Sequence, residues 1–527
     1  MKHLKISYCL LLCVTMLLSF AVALNAGDMG DFTTDVEIAA TGLHEWMPSA
    51  MYNPAENEFL VLWHTTGVRE EGGENMYSLH GRRIDPNGQF VGDLLAPIKS
   101  IGPERRILPR AAYNTFTRNY MVAFIMGQEI TEWDPFIAIL NGTGETLLEP
   151  YPIAENLTKA NHPSIAFNSK RRQYLVTYND SRKGNADVFG VILAEDGSII
   201  KEDFPISTSG GEQINSFACY NPTNDNFLVN WEDFRNVTEW MQFGDIYGAL
   251  INGDGTVTND SIPLCDDHGQ DNEGDQRHNN IAYNPDRNEF LVSWTDTRPS
   301  LVNVGVAGRF VKADGTMPEP DFTVVDGPGS QIFPHAAYVQ KRQQYFVIWD
   351  DSRADPDTNW REVKERDVYA RWISSAGMPI GSDIPICTKA GSQRYSEVAY
   401  NPLMDRFLIT WRDEVDEEVP VPGGSGHIVE SGGNVMGKVY GMPSFLTCRV
   451  IETETDQPVE SAHMLIAGLG FMQMRKTEIG GWINIPQIRQ RHGKYFIIAF
   501  KRGYRPAFTI MQYTGQQQIV TLKITLR

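Results

Sequence analysis

Ile281-Ala282-Tyr283-Asn284-Pro285-Asp286-Arg287-Asn288-Glu289-Phe290-Leu291-Val292-Ser293-Trp294 is the stretch that decides the fold. Phe290, Val292 and Trp294 alternate as bulky apolar residues, the period of a strand with one face in a core. Ile281-Ala282-Tyr283 reads as a shorter strand before it, and the polar Asn-Pro-Asp-Arg-Asn segment between them reads as the turn of a β-hairpin. Tyr283, Phe290 and Trp294 stand at positions 0, +7 and +11. The same spacing recurs, without a gap, at Tyr52/Phe59/Trp63, Tyr113/Tyr120/Phe124, Phe167/Tyr174/Tyr178, Tyr220/Phe227/Trp231, Tyr338/Tyr345/Trp349 and Tyr400/Phe407/Trp411.

Working outward, a third strand follows each hairpin, as in Asp187-Val188-Phe189-Gly190 and Asp245-Ile246-Tyr247-Gly248. It usually runs into a tight Gly turn such as Asp196-Gly197 or Asp254-Gly255, then into a Pro-Ile strand such as Phe204-Pro205-Ile206. Four antiparallel strands per unit at a mean period of 58 residues, from 52 to 400 in six intervals, predict an all-β, seven-bladed β-propeller over 31–441. The seventh unit lacks its fourth strand, whereas Asp35-Val36-Glu37-Ile38-Ala39 looks like a fourth strand without its predecessors. The N-terminal strand is therefore expected to close the ring and cover an otherwise unpaired edge. The copies resemble the Tyr-Asn-Pro/Phe-Leu-Val-x-Trp-x-Asp-x-Arg repeats of secreted bacterial proteins of mostly unassigned role, a likeness that implies fold more than function.

From 443 to 527 the cassette is gone. Pro458-Val459-Glu460-Ser461-Ala462, Thr477-Glu478-Ile479-Gly480-Gly481-Trp482, Gly493-Lys494-Tyr495 and Gly503-Tyr504 follow in order. This resembles the carboxypeptidase-regulatory, transthyretin-like β-sandwich, which implies a small, non-catalytic accessory module. At the other end, Lys2 and Lys5, the apolar run Tyr8–Phe20 and Ala21-Val22-Ala23 have the three-part pattern of a secretory signal peptide over 1–23. The expected location is secreted, periplasmic or cell-surface, with no membrane span in the mature chain.

The formal charge of −20 argues against nucleic acid or anionic lipid as partner and suits a neutral glycan, a basic protein or cations. Cys219, Cys265, Cys387 and Cys448, outside the leader, show no metal or redox spacing. Cys219 takes a slot that is Ala in other copies and reads as a small buried apolar residue. Asp266, Asp267, Asp271, Glu273 and Asp275 can offer oxygen ligands to Ca²⁺, yet their spacing completes no calcium loop, so no metal or cofactor is assigned.

Turns between first and second strands keep one length, while connections after second strands and before first strands vary widely. One face of the ring is thus the expected functional face. Arg182, Arg235, Arg298 and Arg353 fall there, each two residues after an Asp: either a rim that meets an ionic ligand, or a structural pair in which Asp caps the loop and Arg bridges to the next blade. Trp46, Trp133, Trp240 and Trp360 lie outside the repeat pattern, and either stack on sugars or a partner, or fold back over their own loops. His162 and His278 share the cassette position five before the aromatic anchor, near the ring axis; imidazoles there can transfer protons, as in propeller-shaped polysaccharide lyases. His335 sits two residues further along. The leading expectation is an exported protein that binds a glycan or protein through this face. The alternative is an extracellular polysaccharide lyase or glycoside hydrolase with its site at the axial mouth.

Overall fold

The computed structural model describes residues 30–526 except 32, 40–43, 68–75, 99–107, 130–131, 156, 237–242, 267–273, 299–302, 357–364, 421–426, 442–443, 469–470, 487–492 and 514–516. The chain is all-β, with seven four-stranded antiparallel blades followed by two smaller sheets. Blade 5 is representative: Gln276–Asn284, Glu289–Asp296, Gly305–Lys312 and Phe322–Val325, in that spatial order. The second strand is buried along its whole length, because both of its faces pack against neighbouring blades. Trp63, Trp231, Trp294, Trp349 and Trp411, all at cassette position +11, are wholly buried there.

The constant turn has a local cause. The Asn after the anchor is buried in six blades, and in five of them its carboxamide oxygen accepts two backbone N–H groups inside the turn, as Asn284 does from Asp286 at 3.0 Å and Arg287 at 3.2 Å. Five residues after the anchor the backbone enters the left-handed region in all seven blades, at Asn57, Arg118, Arg172, Asp225, Asn288, Gln343 and Asp405. An extra residue here would break both features, so the length is fixed.

Ring closure follows the sequence expectation. Val36–Ala39 pairs antiparallel with His427–Gly441, the third strand of blade 7, and Gly30–Asp31 extends the pairing to Tyr440 and Gly441. Asp35 is buried between Lys389 at 2.7 Å and Lys438 at 3.1 Å. Burial works against its ionisation, but the two lysines more than offset it and lower its pKa. One of the variable connections after a second strand, between Arg412 and Gly433, is a long hairpin, paired from Glu414↔Gly433 out to Pro420↔His427.

The C-terminal sheets are Ser444–Glu452, Trp482–Pro486, Tyr504–Arg505 and Gln518–Leu526 in one, and His463–Gly468, Phe471–Lys476, Gly493–Phe500 and Ala507–Tyr513 in the other. They share one core that includes Cys448, Met464, Ile485, Tyr495, Ile497 and Leu522. The first sheet and its loops dock on the constant-turn end of the propeller. Trp482 Nε1 donates to the Ala55 carbonyl at 3.0 Å, Arg449 pairs with Glu56 at 3.2 Å, and Arg406, wholly buried, donates to Gln517 at 3.0 Å. Gly480 packs so closely that a Cβ would sit 2.0 Å from the Ala55 carbonyl oxygen.

Candidate functional site

The first strand of each blade lines the axis, and its start lies at the end of the ring that carries the variable connections. In six blades this strand bulges, with register shifts such as Trp46/Ser49, Ile214/Phe217 and Arg394/Glu397. The extra residue is left-handed in each: Met47, His162, Asn215, His278, Phe333 and Tyr395, with φ between 45° and 57°. All six stand five residues before the aromatic anchor. A left-handed conformation is costly for such side chains, so something must hold it.

His162 N donates to its neighbour Asn161 Oδ1 at 3.0 Å; in three other blades the support comes from the preceding blade. The residue twelve after the anchor accepts the N–H of the next bulge: Glu232 from His278 at 2.8 Å, Thr295 from Phe333 at 3.2 Å, Asp350 from Tyr395 at 2.8 Å. Two residues beyond the bulge, side chains stitch neighbouring first strands together. Ser164 accepts from Ala218 N at 3.1 Å, Asn280 from Ala336 N at 3.2 Å, and Glu397 from Ala50 N at 3.2 Å across the closing seam of the ring. The backbone is thus repeated around the axis while the side chains projecting into it differ.

These bulge residues line a pocket of ≈ 120 Å³, together with Leu108, Arg110, Phe217 and others. Arg110 of blade 2 and Glu397 of blade 7 form an ion pair that spans blade 1. The Arg110 guanidinium lies 5.7 Å from the Phe217 ring centre, and His335 meets Phe217 edge-on at 6.4 Å. His278 stacks on Phe333 at 3.8 Å, Phe333 meets Tyr395 at 5.3 Å, and His278 Nδ1 lies 3.1 Å from Thr295 Oγ1.

Burial decides the charges. It lowers the His278 pKa to about 3, helped by the positive charges of Arg277 and Arg366. It also lowers His335, to about 4, even though Glu397 pulls the other way. Both imidazoles are therefore neutral at pH 7. Burial raises Glu232, which accepts from Asn215 Nδ2 at 2.8 Å and feels Arg277. Asp350 is raised to about 6.

The pocket brings together His162, His278 and His335. Arg110, Glu397 and Phe217 were not singled out in the sequence, although they occupy the cassette position of His335. Two residues along one strand point to one side, and that parity was the available signal.

The remaining candidates lie elsewhere. Arg182, Arg235, Arg298 and Arg353 each pair with the Asp two residues before them. Contrary to the bridge to the next blade considered above, each reaches the outer part of its own blade: Asp203, Ser261, Asp321 and Asp383 respectively. Three of them also cover a third-strand aromatic, as Arg353 covers Tyr369 at 3.9 Å. The fork geometry of guanidinium suits this triple contact.

Trp133 is buried in the core with Ile125, Ile153 and Leu157, and so corrects the expectation of a solvent-facing stacking ring. It stands in the strand Glu132–Leu140 rather than in a loop. Trp46 is half-buried beneath the Arg412 guanidinium, 3.6 Å from its ring centre. Trp240 and Trp360 lie outside the described residues, as do Asp267, Asp271, Glu273 and the 1–23 leader. Asp275 pairs with Arg277 at 2.7 Å and accepts from Gly244 N at 2.8 Å. Among the described residues no three His, Cys, Asp or Glu side chains converge as a metal site, no helix is long and apolar enough to cross a membrane, and Cys219, Cys265, Cys387 and Cys448 form no disulfide with one another.

No family model matches this chain, and no curated protein matches it. Among solved structures it is similar to a protein of unknown function from Dyadobacter fermentans: 11% identity, 77% of this chain and 97% of that one covered, TM-score 0.44. It is also similar to an oligogalacturonate lyase in complex with manganese: 9% identity, 78% and 95% covered, TM-score 0.42. A third is an acylaminoacyl peptidase from Pyrococcus horikoshii: 10% identity, 88% and 59% covered, TM-score 0.41.

Proposed function

We propose that this chain is an exported binding protein whose axial pocket, on the variable-connection face, takes the end of a neutral glycan. The observation that carries this reading is charge compensation in an aromatic pocket. Arg110 faces Glu397, Glu232 feels Arg277, and His278 and His335 are neutral. A charged sugar would lose its hydration here without gaining an uncompensated counter-charge. A neutral sugar ring loses less. Its apolar face suits Phe217, Phe333 and Tyr395, and its hydroxyls suit the Arg110 and Glu397 atoms and the amides of Asn215 and Asn279. In this reading the C-terminal sheets form a carboxypeptidase-regulatory-like module over 443–527 that carries the propeller over 31–441, and export follows from the leader.

A glycan array followed by calorimetry tests it. Tyr395→Ala and Arg110→Gln are expected to weaken a neutral glycan by about tenfold or more. A preference for uronate- or sialate-ended glycans, or unchanged affinity in both variants, would overturn it. The second reading, a polysaccharide lyase or glycoside hydrolase, draws on His162, His278, His335 and Tyr395 sharing one pocket. An imidazole with a pKa near 3 is a weak base at neutral pH, which favours binding over catalysis. Release of sugar fragments by the wild type, lost in His162→Ala, would reverse that preference.

A further inference from the structure

The charge of the chain is unevenly divided. Residues 443–527 hold 11 Lys and Arg against 5 Asp and Glu, a net of +6, leaving 35 against 61, a net of −26, for residues 1–442. The acidic total that argues against an anionic surface is therefore a property of the propeller. The C-terminal module is basic.

The same module presents an apolar sheet face to solvent. In the sheet formed by Phe471–Lys476, His463–Gly468, Gly493–Phe500 and Ala507–Tyr513, the register aligns Met472–Ala467–Phe496–Ile510 as one cross-strand row and Met474–Leu465–Ile498–Phe508 as the next. Alternate residues of these strands, Met464, Ile466, Tyr495 and Ile497, fill the core, so both rows point outward. Phe508 is 76% exposed, Met472 58%, Met474 54%, Ile510 53% and Phe496 52%. Lys476 and Lys494 continue the outward parity at opposite ends of the face. The turn that follows Phe500 places exposed Arg502 at its Phe508 end. The docking contacts with the propeller described above come from the other sheet and its loops, which leaves this face to the outside.

We propose that this face docks the protein on an anionic phospholipid bilayer. Apolar side chains held in two flat rows, bordered by cations, match the interfacial zone of a membrane, where hydrocarbon lies beneath phosphate. The border charge selects this occupant over a second copy, since face-to-face pairing would bring Lys476, Lys494 and Arg502 against their own equivalents. Four strands ~4.8 Å apart carrying two rows also span only about 300–400 Å², well under the ~800 Å² per partner of a stable dimer. The proposal stands apart from the glycan reading, which concerns the opposite end of the propeller.

Vesicle co-sedimentation of the full chain tests it. Vesicles of phosphatidylcholine with about one quarter phosphatidylglycerol are expected to retain the protein, and phosphatidylcholine alone to retain little, with binding falling as salt rises. The double variant Phe508→Ser/Ile510→Ser is expected to weaken retention by about tenfold or more. Lys476→Glu/Lys494→Glu weakens it through charge and keeps the test valid if the first variant misfolds, which circular dichroism checks. Equal retention on both vesicle types, or none on either, overturns the proposal. So does a wild-type dimer that Phe508→Ser/Ile510→Ser turns into monomer, which would assign the face to a second copy.

Discussion

The two ends of the seven innermost strands share a backbone device and differ in chemistry. At the end that meets the constant turns, a left-handed residue recurs five after each anchor, beside a buried Asn that fastens the turn. At the other end, a left-handed residue recurs five before the anchor in six blades, but the side chains there are Met, His, Asn, His, Phe and Tyr. At the first end the buried Asn repeats in six blades because it has the same local task in each, while the left-handed residue beside it is Asn, Arg, Asp or Gln and only closes the turn. The second repeats its backbone while the side chains on it differ and line one pocket, which frees them for a task set by something outside the protein. Backbone strain alone does not mark a site; strain combined with divergent side chains that converge on one pocket does.

Each variant that follows sharpens that contrast. Asp350 holds the Tyr395 bulge, with its pKa raised to about 6 in the folded chain against 3.8 unfolded. A raised carboxyl pKa means its stability contribution is full below pH 3.8 and is lost as pH rises through 6, by about 3 kcal/mol. Asp350→Asn is expected to remove that slope from the difference between the two stability curves, measured by denaturant unfolding across pH. Next, Asn401→Ala at the constant end leaves Met404 N without its acceptor and Asn57 Oδ1 with Tyr52 Oη as its remaining donor, and should cost about 2 kcal/mol, with pocket affinity unchanged. If affinity falls as much as stability, the two ends are not independent.

His278 gives the opposite pH sign. Its folded pKa, near 3, lies below the unfolded 6.5, so its contribution is full above 6.5 and is lost as pH falls through 3. Between pH 6.5 and 5 this amounts to about 1.5 kcal/mol. His278→Gln is expected to flatten that limb of the curve. The smallest effect belongs to Arg353→Ala. Its partly exposed pairs with Asp351 and Asp383 should contribute about 1 kcal/mol or less, and glycan affinity should not change. A large loss of affinity would move the site from the axis to the rim.

How legible this was follows from what each residue does. Tyr283, Phe290 and Trp294 are core residues of a repeated unit, so their spacing displayed the blade, and the orphan strand at Val36 displayed the seam. The pocket was only half visible. His162 and His278 stood out as a residue type at a shared position, but nothing in Met47, Phe333 or Tyr395 announces a left-handed backbone, since the bulge imposes it. Arg110 and Glu397 meet only because the ring closes, across 287 positions of sequence. Trp133 misled because tryptophan outside the pattern looks exposed until the fold supplies apolar neighbours for it.

The seam also has a timetable. A ribosome delivers residues 30–39 before the seven blades and Tyr440 after nearly all of them, so the pairing at Val36 must wait for nearly the whole propeller to emerge. Until then Asp35 has neither of its lysines, and the third strand of blade 7 has an open edge. A chain halted before Lys438 is left with a gap in its circle and a sticky flank, so the ring cannot close until the third strand of blade 7 has been made.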